Sequence, residues 1–134
     1  MRLRRFSERG FTLIEVLIVV TLVVILASIG MATYSNAVQR AREAVLREDL
    51  FRMRDAIDQF YADKNSYPQS LQDLVTEGYL REVPKDPMTN SADTWNAIQA
   101  EHDVSNPAAA VGIFDVKSGS EEVSPLDGSK YSDW

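Results

Sequence analysis

No cysteine occurs in the 134 residues, and the single histidine is His102. The first absence removes disulfide frameworks, thiol catalysis and cysteine-based zinc sites; the second leaves a Ser-His-Asp relay or a multi-histidine metal centre almost no material. Glycine is also scarce, and its six copies at 10, 30, 78, 112, 119 and 128 are too scattered for a phosphate-cradling loop. Basic charge is concentrated at one end. Four arginines and one glutamate give residues 1–10 a net +3, so the overall −6 leaves −9 on the residues beyond. An acidic body of that kind is not built to bind nucleic acid by neutralising phosphates. No set of residues forms a recognisable catalytic constellation, and the chain reads as a non-enzyme.

What is abundant is apolar and gathered in one place. Residues 11–31 hold 16 of the 60 apolar residues and one charge, Glu15. As a helix rising about 1.5 Å per residue this segment measures about 31 Å, close to the ~30 Å hydrocarbon core of a bilayer. Arg2, Arg4, Arg5 and Arg9 precede it, so the positive-inside rule holds residues 1–10 in the cytoplasm and sends the later residues across. A secretory signal peptide shares this basic-then-apolar pattern, with a weak cleavage region at Ala27-Ser28-Ile29-Gly30. The spanning length and Glu15 oppose that reading. A carboxylate in a spanning helix costs about 2.5–3.5 kcal/mol at the membrane centre and less towards its edge, a cost that calls for a partner. If the chain is cut between Gly10 and Phe11, the new α-amino group is cationic, with a reference pKa of about 7.7–8. In an assembly of parallel helices, that amine can meet Glu15 of a neighbouring subunit. The alternative is an unpaired Glu15 snorkelling to the headgroups.

No helix breaker follows until the Asn65-Ser66-Tyr67-Pro68 cluster, which predicts one helix over residues 11–63, about 80 Å long. Residues 32–63 form its amphipathic half, with Val38, Ala41, Val45, Leu50, Met53, Ile57 and Phe60 as the apolar stripe and Leu46 and Tyr61 flanking it. Arginines 40, 42, 47, 52 and 54 and the acids Glu43, Glu48, Asp49, Asp55 and Asp58 are assigned to solvated faces. Gly30 is its weak point, costing about 1 kcal/mol relative to alanine. A turn and a short second helix come next, capped by Ser70 with Asp73 in a box-like arrangement and stopped by a left-handed Gly78; Leu71, Leu74 and Val75 face the long helix. Residues 94–98 and 111–116 have strand-like composition and pair as a small antiparallel sheet, with a loop over 99–110. Residues 64–134 contain 25 apolar residues, six of them alanine, too few for a comfortable core without a docking surface. The amphipathic half of the long helix provides it.

The run Arg9-Gly10-Phe11-Thr12-Leu13-Ile14-Glu15-Val16-Leu17-Ile18-Val19-Val20 closely resembles the signal of type IV pilins and type II secretion pseudopilins. The block from Tyr67-Pro68 through Gly78-Tyr79-Leu80 to Val83-Pro84-Lys85-Asp86-Pro87 also resembles the pseudopilins, so the likeness covers about residues 9–87. Past Pro87 the usual Trp-Gly-x-Pro-Tyr run is replaced by Met88-Thr89-Asn90-Ser91-Ala92-Asp93-Thr94-Trp95. The resemblance implies that a membrane prepilin peptidase cuts after Gly10 and N-methylates Phe11, and that Glu15 serves subunit recruitment and register. It also implies a calcium ion in the C-terminal loop, where type IV pilins carry a disulfide that this chain cannot form. Calcium takes six to eight oxygens at about 2.3–2.6 Å. The side chains of Glu121, Asp127, Ser129 and Asp133, with carbonyls near Ser118 and Leu126, are the donors expected to supply them. The alternative for this tail is a solvated acidic turn with Trp134 packed back on the sheet.

Together these readings give an α+β, pilin-like fold: a cleaved basic leader (1–10), a transmembrane helix (11–31), its amphipathic continuation (32–63) and a small periplasmic domain (64–134) with a short helix and a small sheet. The function implied is a pseudopilin of the major type, anchored in the inner membrane and assembling into a helical filament for type II secretion. Its partners would be prepilin peptidase, other pseudopilins and the inner-membrane secretion platform. The alternatives are a type IV pilus subunit for adhesion, motility or DNA uptake, and a secreted or membrane-tethered binding domain. His102 is assigned to an exposed loop, and Trp95 and Trp134 to core or interface packing.

Overall fold

A computed structural model describes residues 10–101 and 111–134; His102, the leader before Gly10 and most of the expected 99–110 loop lie outside the described residues. The chain divides into two compact units, Met1–Val38 and Gln39–Trp134. A single helix, α1 (Leu13–Lys64), begins in the first unit and enters the second.

In the first unit α1 begins where Thr12 accepts the backbone N–H of Glu15 on its hydroxyl, at 3.3 Å, in the manner of an N-cap. Every residue from 10 to 37 is exposed. An 18-residue window here has a mean hydropathy of 2.8 and no buried residue, so length and composition suit a membrane span. Three hydroxyls along this part of the helix are satisfied locally. Thr21, Ser28 and Thr33 donate their hydroxyls to the carbonyls of Leu17, Val24 and Ile29, four residues back, at 2.7, 2.8 and 3.1 Å.

In the second unit the buried face of α1 is formed by Glu43, Leu46, Leu50, Met53, Ala56, Ile57 and Phe60. From Glu43 to Phe60 these residues recur at steps of three and four, apart from Ala56, which flanks Ile57. The stripe is rotated from the expected one over its first two turns. Leu46 is fully buried and central, Val45 is half exposed, and Glu43 belongs to the packed face. The helix ends at Asn65, whose φ of 54° and N–H bond to the Tyr61 carbonyl make it a left-handed cap.

Helix α2 (Leu71–Thr76) begins with the expected capping box: the Ser70 hydroxyl accepts from the Asp73 N–H, and the Asp73 carboxylate accepts from the Ser70 N–H at 2.9 Å. Gly78 follows with φ 84°. Of the three α2 residues expected to face α1, Leu74 is in the core and Leu71 packs against it. Strands β1 (Asn96–Gln99) and β2 (Ile113–Lys117) pair antiparallel, with Ala97 opposite Val116 and Ile98 opposite Asp115. The register shifts between Ile98 and Gln99, so Phe114 stands outside the ladder and is 44% exposed. Trp95 is buried beside the core and donates its indole N–H to the Pro84 carbonyl at 2.7 Å. A 3₁₀ turn, Tyr131–Asp133, completes the fold and buries Tyr131. The α+β architecture expected from the sequence is present.

Gly119 marks the tightest approach in this unit, because a methyl placed on it would run into the carbonyl of Thr94, a backbone atom that cannot swing away. Gly119→Ala is expected to destabilise the second unit by about 1–3 kcal/mol, the usual cost of overpacking. Thermal melts followed by near-ultraviolet circular dichroism, compared with Gly30→Ala, where space is open and the backbone is helical, check this.

Candidate assembly site and tail closure

Two groups of residues carry the chemistry expected from the sequence. The first is Gly10, Phe11 and Glu15. All three are exposed, Phe11 at 81%, and Glu15 stands in the first turn of α1. Thr12 fixes where the helix starts and therefore which way Glu15 faces. Among the described residues Glu15 makes no ion pair, leaving its carboxylate available in this chain. The Gly10–Phe11 bond, just ahead of the helix, lies in backbone without regular structure.

The second group is the acidic tail. Ser118 is buried; its hydroxyl donates to the Asp86 carboxylate at 2.5 Å and accepts the Ser120 N–H at 3.2 Å. Asp127 accepts the Ser129 N–H at 2.9 Å and the Ser129 hydroxyl at 2.6 Å, and Ser129 in turn accepts the Trp134 indole N–H at 2.8 Å. The two hydrogen bonds from Ser129, with a smaller contribution from Arg47 at 3.9 Å, hold the Asp127 carboxyl below the usual range. Leu126 gives its N–H to the Ser124 hydroxyl. Glu121 and Asp133 are exposed. Asp127 and Ser129 are thus brought together. Among the described residues no three acidic or histidine side chains gather as a metal-holding group, and the Ser129 hydroxyl already donates to Asp127.

What closes the tail was not apparent in the sequence. Glu43, 3% exposed, accepts the Ser124 hydroxyl at 2.7 Å and the Tyr131 hydroxyl at 2.8 Å on the same oxygen. The amide of Gln39 donates to the Tyr131 oxygen at 2.6 Å. Arg54 is the second clamp: its Nε donates to Asp115 at 2.8 Å, and its Nη2 to the carbonyls of Val116 and Trp134 at 3.0 and 2.7 Å. The Arg47 guanidinium lies 4.3 Å from the centre of the Trp134 ring, which also packs edge-on against Tyr131. Trp134 therefore packs back against Arg47 of α1 and Tyr131, where the solvated-turn alternative had it on the sheet. One signal could have found Glu43: continuing the 60, 57, 53, 50, 46 spacing one step back lands on residue 43.

Comparison with known proteins places these features. Residues 5–31 match the family model described as the prokaryotic N-terminal methylation motif. Type II secretion system core protein G of Klebsiella michiganensis is 32% identical over 101 residues, covering 63% of this chain and 71% of that protein. The protein of the same name from Vibrio cholerae is 32% identical, covering 63% and 68%, and that from Pseudomonas aeruginosa is 30% identical, covering 66% and 73%. No solved structure gives a significant match. These relatives favour the secretion reading over the pilus and tethered-domain alternatives.

The buried Tyr131 hydroxyl is pushed above its ordinary value near 10, first by burial and then by its hydrogen bond to Glu43. The folded state thus holds this proton more tightly than the unfolded chain does. The contribution is fully present below the unfolded pKa near 10 and is lost as pH rises through the higher folded value. Stability is expected to fall above about pH 10, and Tyr131→Phe to flatten that alkaline limb. Melts across the alkaline range, with absorbance at the tyrosinate band, measure both.

Proposed function

The chain belongs to the type II secretion system core protein G family, and from that membership we propose that it is a filament subunit whose maturation and assembly run through Gly10, Phe11 and Glu15. The observation that carries the reading is the methylation motif on an exposed apolar helix with one carboxylate in its first turn. The helix and the family make this an inner-membrane-anchored protein. Arginines 2, 4, 5 and 9 favour a cytoplasmic leader and a periplasmic Gln39–Trp134 unit.

In this proposal a prepilin peptidase hydrolyses the Gly10–Phe11 peptide bond and the Phe11 amine is then N-methylated, so the chain is a substrate and catalyses nothing itself. The leader takes its +3 away, and Phe11 carries the new cationic amine. Between parallel helices this amine meets Glu15 of the neighbouring subunit, and each charge offsets the other's burial away from water. Head-to-tail contacts of this kind do not close on themselves and generate an open helical filament. Addition of subunits, together with other pseudopilins on the inner-membrane platform, drives export as a piston or scaffold.

N-terminal sequencing and mass spectrometry of membrane-extracted protein are expected to show a chain beginning at methylated Phe11; a start near residue 31 would mean ordinary secretion. Glu15→Ala is expected to leave insertion and cleavage intact and to reduce filaments below detection by electron microscopy and shearing assays. Normal filaments in that variant would remove the amine–carboxylate pairing.

A further inference from the structure

Family resemblance and an acid-rich tail both point to calcium, yet Asp127 and Ser129, two of the expected donors, are already engaged with each other. We infer that residues 118–134 are closed onto α1 by protein contacts alone, anchored on the Glu43 carboxylate, and that the fold of the Gln39–Trp134 unit is independent of divalent cations. This concerns the second unit alone and stands whether or not the chain assembles into filaments.

A metal in an acidic loop does two things: it joins distant oxygens, and it neutralises their charge. Both tasks are met here by other groups. For the joining, a single oxygen of Glu43 receives hydroxyls from Ser124 and Tyr131, two points seven residues apart in the tail, and Gln39 supports the second. A carboxylate receiving several donors forms the stronger, charge-assisted class of hydrogen bond. The final residues are held from the same helix by Arg54, which bonds the Trp134 carbonyl while bridging to β2. For the neutralising, the Ser129 donors stabilise the Asp127 charge, helped by Arg47, and Arg54 pairs with Asp115 at 2.8 Å. Glu121, Glu122 and Asp133 are exposed and solvated by water.

The serines give the sharper argument. The Ser118 hydroxyl donates to Asp86 and accepts from Ser120, and that of Ser129 donates to Asp127 and accepts from Trp134. Among the described residues Glu121, Asp127 and Asp133 do not gather as a metal-holding group, and drawing the Ser129 hydroxyl oxygen to an ion would compete with the Trp134 indole it already accepts from. Glu43 lies on the packed stripe of α1, so the anchor is fixed by the core and needs no ion to position it.

The test uses the full chain in detergent, melted in excess EGTA and in millimolar calcium chloride. The readout is near-ultraviolet circular dichroism, which reports on Trp95 and Trp134, the two tryptophans of the chain, both in the second unit. The expected result is the same Tm in both conditions. Glu43→Ala is expected to lower it by at least about 5 °C, equally with and without calcium. Should Glu43→Ala fail to accumulate, Ser124→Ala and Tyr131→Phe carry the same comparison with smaller shifts. A wild-type Tm that rises by several degrees with calcium overturns the inference. So does a Glu43→Ala loss that calcium restores, or variants that all melt with the wild type.

Discussion

Everything in the second unit rests on one strip of helix surface. Leu46, Leu50, Met53, Ile57 and Phe60 form a dry face at three- and four-residue steps, and α2, Trp95, β2 and Tyr131 contribute the other buried residues of the same core. The remaining residues of the unit are too poor in large apolar side chains to bury a core among themselves. With leucine-to-alanine changes at such positions costing about 2–5 kcal/mol, a single truncation on this face removes a large share of a small domain's stability. The same helix is wholly exposed over residues 13–37. One continuous element therefore presents two kinds of surface, one apolar all round and the other apolar on a single face.

The polar fastenings follow from that economy. A small core leaves the tail little apolar area to pack against, and it is secured by groups that reach out from α1. Glu43 works because it is held on the packed face with two hydroxyl donors directed at one oxygen; the same residue one position along would be a solvated surface charge. Arg54 works because its planar fork can address a carboxylate and two carbonyls at once, which a lysine ammonium does with far less fixed geometry. Buried carboxylate and reaching guanidinium lie eleven residues apart on the helix, and between them they hold the tail at Ser124, Tyr131 and Trp134.

Local features of this chain were legible in its sequence and distant pairings were not. The long helix, the Ser70–Asp73 box, the left-handed Gly78 and the Gly10–Phe11–Glu15 motif are each written within a few neighbouring residues, where propensity, capping and period act directly. The strands were recognised by composition, but their ends shifted by a residue or two, because pairing and a bulge near Phe114 decide them. Glu43 was misplaced because charge argues for solvent when read alone; its partners come from residues 81 and 88 positions away. The acids of the tail suggested a metal by type, whereas Asp127 is engaged chiefly by Ser129 and the tail is fastened by Glu43 and Arg54, which lie far from it in sequence. Composition identifies donors, and tertiary structure decides whether they converge.

The back-bonded hydroxyls of Thr21, Ser28 and Thr33 have a consequence for movement between environments. Each polar side chain already has its acceptor one turn behind it on the same helix. Lipid tails, packed neighbouring helices and water therefore meet nearly the same satisfied surface at these positions. Sliding the helix from one of these surroundings to another breaks no hydrogen bond at these three hydroxyls and strands no donor on the way. At those residues the helix behaves as a solvent-indifferent rod, and its preference for one environment over another is left to its apolar area and to Glu15.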